Sequence, residues 1–226
     1  MICIIDYGLG NVCSLTKALK KIGTEVIVSN QRGDIENAGK LILLGVGSFA
    51  EGMKNLNEKG LVEVITKEVI EKKKPLLGIC LGAQLLFENS EEAPGVRGLG
   101  LILGEVKKFN LDSNLGLKVP HMGWNSIYYD LKSKSNSEGN SDNDNSDDNK
   151  EVKNAIEIFN NIGDGTNFYF VHSFHFVPTE EIDVLWTNYG YPFVSAFKKN
   201  NIFGTQFHPE KSQKEGLHLL KNFANL

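Results

Sequence analysis

Four short, almost uninterrupted apolar runs alternate with helical patterns through the first half of the chain, and they constrain its fold more than any other feature. ICIID (2–6), EVIVS (25–29), KLILL (40–44) and PLLGI (75–79) each read as a strand. Helical periodicity falls near 12–22 and 50–73, and LGAQLLFEN (81–89) opens a further helix. Strands that are apolar on both faces belong to a parallel sheet covered by helices on both sides. The second half differs. Segments 101–109, 126–131, 167–177, 183–187, 193–198 and 202–207 read as strands with little helix between them, and a last helix spans roughly 212–224. The expected fold is therefore α/β: one domain over 1–226, with a doubly wound, mostly parallel sheet flanked by helices and an antiparallel strand addition in the second half.

A chain of 226 residues is long enough to bury a substantial core, roughly 70% of its unfolded surface. Hydrophobic residues make up 41%, charged residues 23%, and the formal net charge is −4. That charge disfavours nucleic acid or an anionic membrane as the main partner. The stretch 133–150, SKSNSEGNSDNDNSDDNK, carries −3 of it and has no aromatic or aliphatic side chain. It cannot join a core and is expected to be a low-complexity, disordered acidic surface loop between two strands, with an acidic docking arm as the alternative. The three cysteines, Cys3, Cys13 and Cys80, are too few for a disulfide framework and none pairs at zinc-ligand spacing. No basic leader precedes the first apolar run, and no apolar run reaches the about 18 residues of a membrane span. A reducing, cytoplasmic setting is the default expectation.

The chemistry concentrates in Pro75-Leu-Leu-Gly-Ile-Cys80-Leu-Gly82-Ala-Gln84. An apolar strand runs into G-x-C-x-G and a helix begins at once, the thiol counterpart of the nucleophile elbow. Such a turn lifts the side chain clear of the sheet, Gly78 and Gly82 admit close backbone approach, and the helix start brings partial positive charge to the sulfur. The bland alternative is a buried cysteine acting as a small hydrophobe. A thiolate nucleophile wants a base and a group that orients it. Residues 202–210 end an apolar strand in His208-Pro-Glu210, and Glu210 can fix the imidazole tautomer of His208; a surface loop that happens to hold both is the competing view. Ligands of open α/β sheets bind beyond the carboxyl ends of the strands, where both motifs are expected.

A third piece is Leu44-Gly45-Val46-Gly47-Ser48-Phe49, a strand opening into a turn with free backbone N–H groups. It can supply an oxyanion donor, partnered by the Leu81 N–H. Phosphate binding is the competing use, but neither Gly45-x-Gly47 nor Gly8-x-Gly10 completes a dinucleotide fingerprint and no G-K-[ST] occurs. His121, His172, His175 and His218 show no metal-ligand spacing. Trp124 reads as core on composition alone.

Taken together, GICLGAQ at 78–84 with FHPE at 207–210 resembles the triad-type, class I glutamine amidotransferases. IDYGLGN (5–11), GVGSF (45–49), PHMGWN (120–125), VHSF (171–174) and HPEKSQ (208–213) narrow the likeness to the glutaminase subunits of imidazole glycerol phosphate synthase. It runs from residue 2 to the C-terminus, apart from 133–150. The resemblance implies that Cys80 attacks the carboxamide of L-glutamine, that His208 takes the thiol proton and protonates departing ammonia, and that Glu210 orients His208. It implies an oxyanion hole from the Val46–Gly47 turn and Leu81, and glutamine-holding positions at Gly45, Gln84, His172, Ser173 and Phe174. It places Asn11, Pro120, Met122, Trp124, Asn125 and Lys211 toward a (β/α)8-barrel cyclase partner. That partner uses the ammonia to make imidazole glycerol phosphate in histidine biosynthesis, and no metal or organic cofactor is needed for this half. The chain departs from the family at Leu44, where proline is usual. Leucine frees φ and adds an N–H, so a less restrained turn is expected. It departs again at Phe174-His175-Phe176, where tyrosines are common; there backbone contacts to substrate are expected to survive.

Two other readings use the same residues. One keeps the chemistry and delivers ammonia to an enzyme aminating a surface-sugar precursor. The other is a non-enzymatic binding protein that uses the elbow cysteine as a thiol sensor and needs neither His208 nor Glu210.

Overall fold

The computed structural model describes residues 1–130 and 156–226, and the expectations about 133–150 lie outside them. The strands, in chain order, are β1 (Ile2–Ile5), β2 (Val26–Ser29), β3 (Lys40–Gly45), β4 (Leu76–Cys80), β5 (Phe87–Ser90), β6 (Ile102–Lys108), β7 (His121–Ser126), β8 (Asn167–His172), β9 (Phe174–Pro178), β10 (Asp183–Tyr189), β11 (Tyr191–Lys199) and β12 (Ile202–Thr205). The helices are α1 (Val12–Lys21), α2 (Arg32–Asn37), α3 (Phe49–Glu58), α4 (Leu61–Ile70), α5 (Leu81–Gln84) and α6 (Gln213–Asn225).

The main sheet runs β2-β1-β3-β4-β12-β11-β9-β6-β5, with β10 on β11. The block β2-β1-β3-β4-β12 is parallel, and β11 turns the direction by pairing antiparallel with β12. The expected mostly parallel sheet with an antiparallel addition is what forms. Alternate residues of the parallel strands face opposite helical layers. Ile4, Ile42, Leu77 and Phe203 pack with Leu15 and Leu19 of α1 and Leu219 and Phe223 of α6. Cys3, Ile5, Leu41 and Leu43 pack with Met53 and Leu56 of α3 and Val64 and Ile65 of α4. Both faces are thus buried, which is why these runs carry no polar alternation.

Several boundaries differ from expectation, each for a visible reason. The helix expected over 50–73 is two helices, split at Gly60, whose φ of 64° is left-handed. The helix expected over 81–89 ends after one turn. Leu99, Leu101 and Gly98 donate to the carbonyls of Leu85, Leu86 and Glu88, so these carbonyls serve a β-like partner rather than a helix, and Phe87–Ser90 is a strand. Helix α2 carries no clear sequence pattern, since Ile35 is its one buried residue. The strand expected over 167–177 is two strands in different sheets: β8 pairs with β7, and β9 with β6. The strand expected at 126–131 lies upstream at β7. There the order of polarity is inverted: His121 is buried while Met122 and Trp124 are 63% and 50% exposed, so hydrophobic patterning could not register it.

Candidate active site

The adjacent parallel strands β3, β4 and β12 all end at the same edge of the sheet. This single fact brings together the turn at 45–47, the elbow at Cys80 and the segment 206–210. Gly45 and Cys80 lie opposite each other in the ladder.

Cys80 has φ 53° and ψ −114°, a strained conformation for a residue with a Cβ, as a nucleophile elbow requires. The flanking glycines are there for space. A Cβ on Gly82 would lie 1.7 Å from the Leu43 carbonyl oxygen, and one on Gly78 would lie 2.6 Å from the Ala83 Cα. The helix beyond Cys80 spans only Leu81–Gln84, so it contributes one turn of peptide dipoles to the sulfur rather than a long helix.

His208 is pinned before its side chain does anything. Its N–H donates to the Tyr169 carbonyl at 2.9 Å, and its carbonyl accepts from Ser212 Oγ at 2.7 Å. Its Nδ1–H donates to Glu210 Oε1 at 2.7 Å, with both side chains buried. Glu210 therefore sits behind the imidazole and fixes its tautomer, leaving Nε2 for the pocket side. No neighbour among the described residues satisfies Nε2 at ordinary geometry. Burial works against an imidazolium here, but the charge and hydrogen bonding of Cys80, together with those of Glu210, outweigh it. They push the pKa of His208 up to about 10.

A raised value means that the folded state holds the proton more tightly, so the stabilisation is complete below about 6.5, the ordinary histidine value, and disappears as pH rises through about 10. In Cys80→Ala the upward push is smaller. An NMR titration of the His208 ring should show a lower midpoint than in the wild type, and the melting temperature should lose less between pH 6.5 and 10. An unchanged His208 midpoint would show that the two side chains do not interact.

A pocket of about 260 Å³ opens at this edge, lined by Val46, Gly47, Cys80, Leu81, Gln84, Glu92, Pro120, Val171, His172, Ser173, Phe174, His208 and Lys211. This size suits a small molecule rather than a nucleotide. Most of the residues singled out in the sequence meet here. Gly45 lies beneath the floor instead, where a Cβ would strike the Tyr7 hydroxyl and Leu81. Gly47 has φ 128°, open to glycine and unfavourable for other residues. Leu44 is inside β3, opposite Ile79 in the ladder, with its side chain in the core. Strand pairing thus supplies restraint where the family's proline ring would, and the freer turn expected from Leu44 does not extend back to residue 44.

Asn11 is set apart from the pocket and acts locally. Its Oδ1 accepts from Ser14 N at 3.2 Å and caps α1. Met122 and Trp124 stand on the exposed face of β7.

One residue that lines the pocket and two buried near Cys80 are not singled out in the sequence. Glu92 is the pocket's one lining carboxylate, held by a 2.8 Å bond from Phe49 N to Oε2. Gln206, completely buried, brings Nε2 to 3.7 Å from the sulfur. The Tyr7 hydroxyl is fully buried without a hydrogen-bond partner among the described residues. Burial first, and Cys80 second, push its pKa far up, so it stays a phenol. A signal for Gln206 is present in the sequence, as a lone amide inside the apolar run IFGTQF.

A buried histidine pair connects the exposed strand β7 to the pocket. His172 Nδ1 lies 2.7 Å from the Phe174 carbonyl, which can only accept, so Nδ1 carries the proton. His172 Nε2 then accepts from His121 Nδ1–H at 3.0 Å. His121 Nε2 accepts in turn from Asn125 Nδ2 at 3.2 Å, and Asn125 Nδ2 also donates to Asn188 O at 2.9 Å. Burial holds His121 near pKa 4 and His172 well below its ordinary value, so both rings are neutral. Both ring nitrogens of His172 are engaged, which leaves the backbone of 172–174 as the surface offered to a ligand.

Known proteins resemble this chain along its whole length. The family described as Glutamine amidotransferase class-I matches residues 3–226. The imidazole glycerol phosphate synthase subunit HisH of Moorella thermoacetica is 46% identical over 226 residues, covering 100% of this chain and 94% of that protein. The protein of the same name from Aquifex aeolicus is 46% identical, covering 97% and 94%. Subunit HisH 2 of Pseudomonas aeruginosa is 41% identical, covering 100% of both. Among solved structures, one titled as a glutamine amidotransferase superposes with a TM-score of 0.69 at 19% identity, covering 100% and 99% of the two chains. PurLQS from Thermotoga maritima superposes with a TM-score of 0.65 at 19% identity, covering 99% and 97%. At these identities the structures establish the fold.

Proposed function

This chain belongs to the class I glutamine amidotransferases, among the HisH subunits of imidazole glycerol phosphate synthase, and on that premise we propose how its residues divide the work of releasing ammonia from L-glutamine. The observation that carries the proposal is Cys80, held at positive φ in one pocket with a His208 that Glu210 backs at 2.7 Å.

Cys80 Sγ, whose proton rests on His208 Nε2, attacks the carboxamide carbon as a thiolate. The oxyanion forms against N–H groups of the Val46–Gly47 turn and of Leu81. His208 returns the proton to the departing nitrogen, ammonia leaves, and a glutamyl thioester remains on Cys80. Water, deprotonated by His208, adds to the thioester; the C–S bond breaks and glutamate is released. Glu210 stabilises the imidazolium in both halves. The carboxylate of Glu92 faces the pocket and suits the α-ammonium of glutamine, while the exposed backbone of 172–174 and Gln84 border the rest of the substrate.

The ammonia passes to a (β/α)8-barrel cyclase docked over Pro120, Met122, Trp124, Asn125 and Lys211, which forms imidazole glycerol phosphate in the histidine pathway. Support comes from a strand that turns its largest apolar side chains outward beside two residues, Pro120 and Lys211, that also line the pocket. Isolated apolar side chains outside are ordinary, but a tryptophan and a methionine together on one exposed strand face mark a contact surface.

One finding favours a second acceptor. Methanococcus maripaludis holds two similar proteins, HisH 1 and HisH 2, at 43% and 42% identity, so one organism can keep two such subunits. A duplicated subunit leaves room for this chain to serve another acceptor, such as a surface-sugar precursor. Glutamate release measured with a barrel cyclase and its ribulosyl acceptor separates the two. Stimulation by that pair supports the histidine pathway, and stimulation only by a sugar-aminating partner overturns it.

A further inference from the structure

Building on the glutaminase proposal, we infer that Gln206 is a catalytic residue whose side-chain amide donates an N–H to the Cys80 sulfur whenever that sulfur carries negative charge. Gln206 Nε2 lies 3.7 Å from Cys80 Sγ, within reach of an N–H···S bond. Gln206 is completely buried at the end of β12, and its backbone N–H donates to the Ser195 carbonyl at 2.8 Å.

The orientation of its amide is not arbitrary. The Phe174 carbonyl can only accept, and it lies 3.3 Å from Gln84 Nε2, so that end of Gln84 is its NH2. The same Nε2 donates to Gln206 Oε1 at 3.1 Å. With its oxygen committed to Gln84, Gln206 has only its NH2 to offer the sulfur. A backbone carbonyl thus sets the direction of two buried amides, and the second points a donor at the nucleophile. The Phe174 carbonyl is held from the other side by His172 Nδ1–H at 2.7 Å.

A hydrogen bond to an ionised acceptor is about twice as strong as one to a neutral acceptor. The donor therefore favours the states in which sulfur is a thiolate: before attack on glutamine, and when water has added to the thioester and the C–S electron pair returns to Cys80. A thiol or thioester sulfur is a weak acceptor and gains little. His208 also faces the sulfur and is an imidazolium in these same thiolate states, but its proton shuttles to the leaving nitrogen and back. The amide does not titrate, so it is a second donor that stays in place each time charge returns to the sulfur.

The test is the pH profile of Cys80 alkylation by iodoacetamide in the full-length chain, which requires no glutamine turnover. The other titratable groups around the sulfur are His208 with Glu210 behind it, Tyr7, His172, Glu92 and Lys211, and all are retained in the variants. Gln206→Met removes the donor at similar volume. Its alkylation at neutral pH should slow by about tenfold or more, with the half-maximal rate moved up by about one pH unit. Gln206→Glu keeps the bond from Gln84 and sets a carboxylate against the sulfur, and should slow alkylation further; it carries the test if the Met variant does not fold. Glutamate release in the partnered enzyme should fall in kcat with little change in KM. A wild-type alkylation profile in folded Gln206→Glu, or in both variants, overturns the assignment. Wild-type chain that alkylates at Cys80 but never hydrolyses glutamine overturns the glutaminase proposal instead, and leaves the role of Gln206 toward the sulfur to be decided by the same profiles.

Discussion

Cys80→Ala should abolish glutamine-dependent synthesis by the complex and leave ammonia-dependent synthesis by the partner intact. The sulfur acts only in releasing ammonia, so supplying ammonium at alkaline pH bypasses it. Both activities are measured on the same preparation, and the ammonia-dependent rate reports that the complex is assembled. His208→Ala should behave likewise, because Nε2, left free behind the Glu210 bond, faces the pocket that holds Cys80. Glu210→Gln should lose less: an amide still accepts from Nδ1–H and holds the ring, but it cannot stabilise the imidazolium. Glutaminase turnover near wild type in Cys80→Ala would refute the assignment.

The second large effect concerns the partner. The chain alone should hydrolyse glutamine slowly, and the docked partner with its acceptor ligand should raise the rate at least about a hundredfold. The physical basis is the turn at 45–47. Gly47 at φ 128° can hold a peptide orientation that withholds one oxyanion donor, and one missing donor costs about 10²–10³ in rate. A coupling of roughly 3 kcal/mol between sites covers this. The distance to be bridged is short, since Pro120 and Lys211 line the pocket and adjoin the exposed face of β7. Lys211 Nζ lies 5.8 Å from the centre of the Tyr169 ring, on the strand paired with that face. Lys211→Ala should therefore diminish stimulation by the partner more than it weakens glutamine binding. Glutamate release is followed for the chain alone, with partner, and with partner plus acceptor ligand. Full turnover by the chain alone would eliminate the gating while leaving the glutaminase chemistry in place.

The parallel half of the fold is legible in the sequence because its strands are buried on both faces, and continuous apolar runs such as KLILL have few other uses. The elbow is legible for a different reason: Gly78 and Gly82 bracket Cys80 because no Cβ fits at either position, and steric necessity leaves a short, fixed signature. What escapes is set by contacts distant in sequence. Strand β5 reads as helix because its competing partners, Gly98 to Ile102, come later in the chain. Strand β7 inverts the usual polarity, with His121 buried and Met122 and Trp124 exposed, so apolar alternation does not mark its inner face. Glu92 carries no local pattern, and Gln206 shows only as a lone amide in an apolar run. Their meaning lies in what they meet, the Phe49 N–H for one and Gln84 and Cys80 for the other, and spacing in one sequence does not encode such meetings.

The most direct measurement is rapid acid quenching of the partnered enzyme during turnover of isotopically labelled glutamine, followed by mass analysis of its peptides. The label should appear as a glutamyl thioester on the peptide containing Cys80, accumulate when thioester hydrolysis is slowed, and vanish in Cys80→Ala. Glutamate produced at the full rate with no label on that peptide, or with label on another residue, would contradict nucleophilic catalysis by Cys80.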